Sequence, residues 1–198
     1  MRPDLAAGAS TYLAGFGRLL ERVEVTARGG EPLTLDRGVA SAIDLLISVR
    51  DRGGKALLIG NGGSAAIVSH MHNDLCKSVR MRAVVFHEPP LLTALANDDG
   101  YQTVFAYPVG LWADQGDLLI AVSSSGESAN IVKAAEAAHA KGCVLLTFTG
   151  FQPTNRLRQT GDLNIYVPSS DYGYVEMAHS LVAHYVTDTA KMRVAASV

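Results

Sequence analysis

Two stretches of the sequence carry a histidine and a carboxylate at the spacing of one helix face. His70 and Asp74 lie four residues apart. Glu176 and His184 lie eight residues apart, with Ser180 midway between them. Residues at these separations share one side of an α-helix. Two imidazoles and two carboxylates suit Zn²⁺ or another divalent ion if the two stretches meet, and otherwise they are ordinary polar positions. The spacing alone leaves both interpretations open.

A loop rich in glycine and serine follows an apolar run at two places, in "LLIGNGGSAAIV" and in "LLIAVSSSGESANIV". Each sequence predicts a buried strand that ends where a helix begins, so that backbone N–H groups surround a shallow concavity at a helix N-terminus. Such a turn favours an anion, and serine hydroxyls add donors. We expect the second loop to bind phosphate through Ser123, Ser124, Ser125 and Ser128. The alternative is that these residues only form tight turns and cap helices.

Nucleotide-binding patterns are missing from both loops. Neither contains the GK[ST] ending of a P-loop, and "GNGGSA" lacks the third glycine of GxGxxG. We therefore predict no nucleotide cofactor. A further polar stretch, "LTALANDDGYQTVF", places Asn97, Asp98 and Asp99 in a loop. These side chains could bind sugar hydroxyls or cap the following helix.

The elements that would position these loops begin at Lys55, where short apolar runs start to alternate with helical patterns. The runs are apolar throughout, as in strands buried on both faces of a parallel sheet. The predicted strands are KALLIG (55–60), RAVVFH (82–87), DLLIAVS (117–123), CVLLTFTG (143–150) and DLNIYVP (162–168). Helices or helical turns are predicted at 64–78, 91–97, 103–113, 128–141, 152–159 and 174–193. The sequence thus predicts a three-layer α/β fold with a five-stranded parallel sheet and ligands at the carboxyl ends of the strands.

Two helices are predicted ahead of this region, in TYLAGFGRLLERVEV (11–25) and DRGVASAIDLLISVRDRGG (36–54). Their apolar residues follow helical spacing: Leu13, Phe16, Leu20 and Val23 in the first, and Val39, Ile43, Leu46 and Val49 in the second. Asp36 is the expected N-cap of the second helix, and the pair Gly53 and Gly54 its expected end. Residues 27–34 are expected to form a loop between the two helices.

The composition excludes several classes of function. The chain has 198 residues, of which 48% are hydrophobic, and a formal net charge of −2. This length favours one domain, 1–198, with the leading helices in 1–53 and the α/β core in 54–198. Because there is no basic cluster and no apolar run of about 20 residues, neither nucleic acid nor a membrane is predicted as a partner. Cys76 and Cys143 lie outside any metal-finger spacing, so we expect reduced thiols and a cytoplasmic protein.

The motifs GNGGS, ANDDGY, SSSGESANIVKA and GYVEMAHSLVAH occur in this order along the chain. With them the chain resembles the sugar isomerase (SIS) domain family and, within it, the phosphoheptose isomerases, over nearly its whole length. The resemblance implies a flavodoxin-like fold preceded by two helices, and a homotetramer that binds a sugar phosphate near its subunit interfaces. It also implies that the serines of the second loop hold the phosphate. The residues implied to line the sugar site are Asn61, Gly62, Gly63, Ser64, Asn97, Asp98 and Glu176.

The metal-ligand pattern of that family, His, Glu, Gln, His, falls on His70, Asp74, Glu176 and His184. The resemblance therefore implies a divalent ion, and Zn²⁺ is the one expected. Asp74 is one methylene shorter than the glutamate of the family, and Glu176 replaces a glutamine. The shorter side chain could hold its carboxylate about 1 Å too far back, and a displacement of that size can cost a large factor in rate. The additional negative charge of Glu176 should strengthen the attraction for a cation.

The activity that the resemblance implies is an aldose–ketose isomerisation, between sedoheptulose 7-phosphate and D-glycero-D-manno-heptose 7-phosphate. It needs a base that removes a proton beside a carbonyl, an acid, and stabilisation of an enediolate. We expect Asp74 to be the base, with Glu176 as the alternative, and His184 to be the acid. A second hypothesis is a non-catalytic SIS protein that binds a sugar phosphate or a protein partner, like relatives that bind the bacterial replication initiator. The presence of His70 and His184 favours the enzyme.

Overall fold

The sheet determines where the two glycine- and serine-rich loops emerge. A computed structural model describes residues 8–196, and its sheet has seven strands in the order β2-β1-β7-β6-β5-β3-β4. The strands are β1 (Glu24–Ala27), β2 (Pro32–Leu33), β3 (Lys55–Gly60), β4 (Arg82–Val85), β5 (Leu118–Ser123), β6 (Val144–Thr149) and β7 (Leu163–Tyr166). Strands β3 to β7 are parallel, whereas β1 runs antiparallel to β7 and β2 antiparallel to β1. The predicted five parallel strands are confirmed, and two antiparallel strands extend them beyond β7.

Helices cover both faces of the sheet. They are α1 (Ala9–Leu20), α2 (Leu35–Asp51), α3 (Gly62–Lys77), α4 (Pro89–Asp98), α5 (Ala106–Trp112), α6 (Ala129–Ala140), α7 (Arg156–Thr160) and α8 (Tyr172–Ala196). Leu58 of β3 belongs to the apolar cluster that contains α2, α3 and α8, whereas Leu57 and Ile59 belong to the cluster on the side of α5 and α6. Successive strand residues point to opposite faces. The predicted three layers are therefore confirmed.

The first predicted helix, 11–25, is too long at its carboxyl end. The structure ends α1 at Leu20 and forms β1 where helix was expected. Val25 pairs with Ile165 of β7 and is 1% exposed. α2 passes so close to β1 that a Cβ at Gly38 would lie 2.4 Å from Cγ1 of Val25. Residues 24–27 form a strand because Val25 is buried between α2 and β7. A strand of four residues is too short to give a period-2 pattern that could be distinguished from the helical spacing around it.

The N-cap of α2 is also corrected. Thr34, not Asp36, is the N-cap, and its hydroxyl accepts a hydrogen bond from the backbone N–H of Arg37 at 3.3 Å. Asp36 lies in the first turn instead, where a negative charge interacts favourably with the helix dipole. The expected helix end is confirmed, because α2 ends at Asp51 and Gly53 follows with a φ of 75°. The predicted loop 27–34 contains β2 as well as a short 3₁₀ turn.

Helix α8 carries residues of both candidate sites. It spans 25 residues and packs against α2 and α3. Val175, Ala178 and Val186 are buried on its inner side. Within residues 8–196, no helix has the length and apolar character that crossing a membrane would require.

Candidate active site

The two glycine- and serine-rich loops lie side by side at the carboxyl ends of the parallel strands. β3 ends at Gly60 and β5 ends at Ser123, and these two strands pair directly. α3 begins after Asn61 and α6 begins after Ser128. A Cβ at Gly60 would lie 2.6 Å from the carbonyl oxygen of Ser64, so this tight turn from strand to helix needs glycine. Both loops therefore have the strand, turn and helix that the sequence predicts.

The serines of the second loop form a small polar pocket of about 120 Å³. The lining residues are Asn61, Ser64, Val122, Ser123, Ser124, Ser125, Ser128, Tyr172 and Glu176, which we call the serine pocket. The hydroxyls of Ser123 and Ser128 lie 3.4 Å apart. The Ser124 hydroxyl is buried and has no hydrogen-bond partner among residues 8–196. Leaving a buried hydroxyl unpaired costs about 1–3 kcal/mol, so this donor favours a ligand with acceptor oxygens. The N-terminus of α6 adds partial positive charge at the same place.

The serine loop is held against the start of α7. The backbone N–H and Nε of Arg156 donate to the two carboxylate oxygens of Glu127 at 2.9 and 2.8 Å. These hydrogen bonds lower the pKa of Glu127. The carbonyl of Gly126 accepts a hydrogen bond from the N–H of Leu157 at 3.0 Å, and Asn155, 1% exposed, fills the space where Gly126 lacks a side chain. The loop is thus braced before any ligand binds.

Glu176 lies in the serine pocket, at the first turn of α3. A Cβ at Gly63 would lie 2.3 Å from Oε2 of Glu176 and 2.7 Å from its Oε1, so the carboxylate occupies the space that glycine leaves. The partial positive charge of a helix N-terminus stabilises a carboxylate at this place. The N-terminus of α3, where the sequence predicts a concavity that favours an anion, is therefore occupied by the carboxylate of Glu176.

His70, Asp74 and His184 form a compact group, which we call the histidine triad. One ligand atom of each lies within 4.8 Å of the other two. Oδ2 of Asp74 lies 3.5 Å from Nε2 of His70 and 3.8 Å from Nδ1 of His184, and the two rings are 4.5 Å apart between centroids. Thr187 donates to the same carboxylate oxygen at 3.4 Å. The two helices that carry these residues thus meet as the metal hypothesis requires.

The donor set of the triad fits zinc. Ligands about 2.1 Å from a tetrahedral ion are about 3.4 Å apart, close to the separations from Asp74 to the two histidines. Catalytic zinc sites commonly use three protein ligands and keep one position open. Glu176, the fourth predicted ligand, does not belong to the group whose ligand atoms lie within 4.8 Å of one another. The structure therefore brings three of the four predicted ligands together.

The serine pocket and the triad lie along the same pair of helices. Gly63 of α3 contacts Glu176 of α8, and further along both helices Asp74 lies next to His184. Eight residues separate Glu176 from His184, which is about 12 Å along the axis of α8. The serine pocket and the triad are therefore two separate polar groups at different positions along the same pair of helices.

The predicted sugar contacts Asn97 and Asp98 lie in the last turn of α4 and not in the expected loop, and Asp99 is the C-cap of that helix. Their side chains bond each other, with Nδ2 of Asn97 donating to Oδ1 of Asp98 at 2.7 Å. Both are exposed, and neither is among the residues that line the serine pocket. Tyr101, just beyond them, instead reaches the first loop and donates to Oδ1 of Asn61 at 3.1 Å.

Four further residues of the site were not selected from the sequence. They are Tyr101, Asn130, Tyr172 and Thr187. Tyr101 and Asn130 lie inside the ANDDGY and SSSGESANIVKA motifs, and this position is the signal that could have identified them. Tyr172 is the first residue of α8, and its spacing in the sequence gives no signal of a functional role.

Two other histidines have structural surroundings. His179 is fully buried on α8, and its Nε2 lies 3.0 Å from the carbonyl oxygen of Thr149. Burial lowers the pKa of His179 to about 4. His87 is half-buried beside Ser69, with Nδ1 3.3 Å from that hydroxyl, and burial lowers its pKa as well. Both rings are thus kept neutral near pH 7.

Comparison with known proteins matches this chain to one family. The model of the SIS domain matches residues 11–150. The phosphoheptose isomerase of Burkholderia pseudomallei is 34% identical over 182 residues, which are 89% of this chain and 91% of that protein. The phosphoheptose isomerase of Citrifermentans bemidjiense is 31% identical over 170 residues, which are 83% of this chain and 86% of that protein.

Solved structures agree. The phosphoheptose isomerase GmhA of Neisseria gonorrhoeae superposes with a TM-score of 0.80 at 27% identity, over 94% of this chain and 98% of that chain. A phosphoheptose isomerase of Francisella tularensis gives a TM-score of 0.73 at 26% identity, over 79% of this chain and 86% of that chain. The similarity thus extends over most of the chain in both sequence and fold.

Proposed function

The chain belongs to the SIS domain family and, within it, to the phosphoheptose isomerases, and we propose that it interconverts sedoheptulose 7-phosphate and D-glycero-D-manno-heptose 7-phosphate. One observation carries the proposal. The serine pocket and the histidine triad lie about two helical turns apart along α3 and α8. An open-chain sugar phosphate is elongated, with the phosphate at one end and the reacting carbons at the other, and so fits a site with these two ends.

The serine pocket would bind the phosphate. Ser123, Ser125 and Ser128 supply hydroxyls, and the unpaired hydroxyl of Ser124 gains an acceptor from the ligand. The N-terminus of α6 supplies partial positive charge without a cationic side chain. The groups that would contact the sugar are the first loop, Asn61, Gly62, Gly63 and Ser64, together with Asn97, Asp98 and Glu176.

The triad would carry out the proton transfer. Asp74 takes a proton from the carbon next to the carbonyl, exchanges it with solvent and delivers a proton to the neighbouring carbon, so that no proton is gained or lost overall. His184 moves the proton between the two oxygens, because its ring lies beside the same carboxylate. Glu176, whose carboxylate lies against Gly63 in the serine pocket, would contact sugar hydroxyls next to the phosphate.

The triad also offers a site for a divalent ion. His70, Asp74 and His184 would hold Zn²⁺, which when bound polarises a carbonyl and an adjacent hydroxyl. A carboxylate that is a tight metal ligand is not a free base, so zinc binding at Asp74 would leave Glu176 as the available carboxylate. Equilibrium dialysis measures zinc binding directly. The wild type should bind the ion, and His70→Ala and His184→Ala should bind it more weakly.

A homotetramer is the assembly that we propose, with α8 at an interface. Met177, Leu181, Tyr185 and Met192 are each at least half exposed on one side of α8, beside an apolar groove of about 590 Å³ that α2 and α8 share. Apolar surface of this extent is typical of a protein–protein contact. Sedimentation equilibrium should give four times the chain mass, and Leu181→Glu should shift the distribution to smaller species. We further propose a cytoplasmic protein, since both cysteines are free thiols.

Proton NMR tests the isomerase. Purified protein of known metal content is incubated with sedoheptulose 7-phosphate in deuterated water, next to Asp74→Ala, Glu176→Ala and His184→Ala. The wild type should form aldose heptose 7-phosphate with deuterium at carbon 2. Asp74→Ala and His184→Ala should lose this conversion.

The same experiment separates the alternatives. Full turnover of Asp74→Ala together with an inactive Glu176→Ala would move the base to Glu176. Binding of the sugar phosphate by the wild type without any conversion would contradict the isomerase and support the non-catalytic SIS protein.

A further inference from the structure

The side chain of Asn61 forms hydrogen bonds to two other segments of the chain, at Asn130 in the first turn of α6 and at Tyr101 shortly after α4. It lies at the start of α3 and makes no capping hydrogen bond there. Instead its Nδ2 donates to Oδ1 of Asn130 at 2.9 Å, and its Oδ1 accepts from Nδ2 of Asn130 at 2.9 Å. The hydroxyl of Tyr101 donates to the same Oδ1 at 3.1 Å. Asn130 is the second residue of α6 and is 3% exposed, and Asn61 is partly buried.

The orientation of the Asn61 amide follows from the backbone. The N–H of Ile131 donates to Oδ1 of Asn130 at 3.0 Å, and a backbone N–H can only donate. The amide oxygen of Asn130 must therefore face Ile131, which places its Nδ2 toward Asn61. Oδ1 of Asn61 accepts from that nitrogen and from the hydroxyl of Tyr101. Turning the Asn61 amide over would place its nitrogen against Nδ2 of Asn130 and lose these hydrogen bonds.

This network leaves one group of Asn61 for a ligand. Its oxygen accepts two hydrogen bonds, and one of its two N–H groups is bonded to Asn130. The second N–H has no partner among the described side chains and backbone, and Asn61 lines the serine pocket. We propose that Asn130 and Tyr101 are positioning residues, which orient the Asn61 amide so that it donates one hydrogen bond to an oxygen of the bound sugar phosphate.

The inference rests on the proposed isomerase, and it assigns Asn61 a chemical role within it. A fixed donor at the phosphate end stabilises the bound sugar phosphate in one orientation, and that orientation determines where the reacting carbons lie relative to the triad. A donor that must first rotate into place loses part of this stabilisation. Tyr101 and Asn130 would thus act on the reaction only through Asn61.

A double-mutant cycle tests this dependence. Tyr101→Phe removes only the hydroxyl, and because the reacting carbons would be held less precisely, we expect kcat to fall on the order of tenfold with KM changed less than about twofold. Asn130→Ala should have an equal or larger effect. In the Asn61→Ala background, Tyr101→Phe should change kcat by less than about twofold, because the side chain that it orients is gone. Additive losses in the two backgrounds would overturn the proposal.

Two controls exclude a general disturbance of the pocket. Tyr107→Phe makes the same chemical change at an exposed tyrosine of α5 and should leave kcat unchanged. Inhibition by inorganic phosphate reports binding in the serine pocket without the sugar, and its constant should stay within about twofold of wild type in Tyr101→Phe. A matching loss of phosphate affinity would show a merely structural role for Tyr101.

A second measurement does not depend on turnover. The side-chain amide protons of Asn61, assigned by their loss in Asn61→Ala, should exchange with water at different rates, with the proton bonded to Asn130 the slower. Tyr101→Phe should shift both resonances, whereas Tyr107→Phe should not. Equal exchange of the two protons would overturn the proposal even if the wild type fails to isomerise sedoheptulose 7-phosphate, an outcome that by itself would contradict only the proposed function.

Discussion

The two ends of the parallel strands differ in how completely their polar groups are bonded. At the amino ends, Nζ of Lys55 lies 2.5 Å from Asp117 and 2.6 Å from Asp114, and both oxygens of Asp117 also accept backbone N–H groups at 2.9 Å. At the carboxyl ends, the hydroxyl of Ser124 is buried without a partner, and Glu176 has no ion pair among residues 8–196. We call the amino ends the closed end, because their polar groups bond one another, whereas in the described part of the chain the carboxyl ends keep an unbonded hydroxyl and a carboxylate without an ion pair.

The hydrogen bonds at the closed end also change the pKa of Lys55. Burial lowers the pKa of Lys55, but its hydrogen bonds to Asp114 and Asp117 outweigh that effect and raise the pKa above its usual value. Every strong donor of the cluster thus already has an acceptor inside the protein. A ligand gains new hydrogen bonds where the fold leaves polar groups unpaired, as it does at the serine pocket. The same change of residue should therefore lower stability at one end and activity at the other.

Asp74→Asn should have the largest effect. It keeps the shape of the side chain but removes the charge that would take the proton, so kcat should fall by about 10³-fold. The free energy of unfolding should change by less than about 1 kcal/mol, because the carboxylate lies in a partly exposed group with histidines. Steady-state kinetics and urea unfolding measure the two quantities. A large loss of stability at unchanged kcat would remove the distinction between the two ends.

Asp117→Asn is the matching change at the closed end. It leaves the charge of Lys55 without its buried partner, since the side chains of Asp117 and Lys55 are only 4% and 13% exposed. We expect a loss of about 3 kcal/mol in the free energy of unfolding, with kcat of the folded protein unchanged. Asp114→Asn is the control, because it alters the other partner of Lys55, whose side chain is 84% exposed, and should change stability little. Equal destabilisation by both variants would contradict this account.

His179 is the exception at the carboxyl ends, because it is polar, buried and expected to serve stability alone. Its pKa is lowered to about 4, whereas an unfolded histidine titrates near 6.5. Between these values only the unfolded chain binds the proton, so the free energy of unfolding falls as the pH is lowered from about 6.5 toward 4. Between pH 7.5 and 5.0, the wild type should lose about 2 kcal/mol more than His179→Gln. His139→Gln, at an exposed position of α6, should behave like the wild type in the same unfolding series.

The central strands could be predicted because burial on both faces leaves a continuous apolar run. β3, β5, β6 and β7 all lie within the predicted segments. β1 could not be predicted, because its four residues gain their burial from α2 and β7, which are distant in sequence. The N-cap is Thr34, two residues before the expected Asp36. Both residue types cap helices, and the choice depends on the residue at which the backbone changes from extended to helical.

The site was predictable where local spacing and family motifs agree. The spacing placed His70 with Asp74, and the fold adds His184 by packing α3 against α8. The spacing of Glu176 and His184 also implies about 12 Å along one helix, so whether both side chains reach one ion depends on side-chain conformations that the spacing does not determine. The position of Glu176 against Gly63 depends on how the two helices approach, which no local pattern contains.

Ser124→Ala should give the smallest effect and is the sharpest test of the comparison. The unpaired hydroxyl costs stability in the free protein, so its removal should leave the free energy of unfolding unchanged or raise it by about 1 kcal/mol. The bound phosphate loses one donor, so KM should rise on the order of tenfold with kcat nearly unchanged. Ser41→Ala removes a hydroxyl of α2 that makes a solvent-exposed hydrogen bond to the carbonyl of Arg37, and should leave KM unaltered. If Ser124→Ala instead destabilises the protein at constant KM, the hydroxyl serves the fold, and the carboxyl ends are as closed as the amino ends.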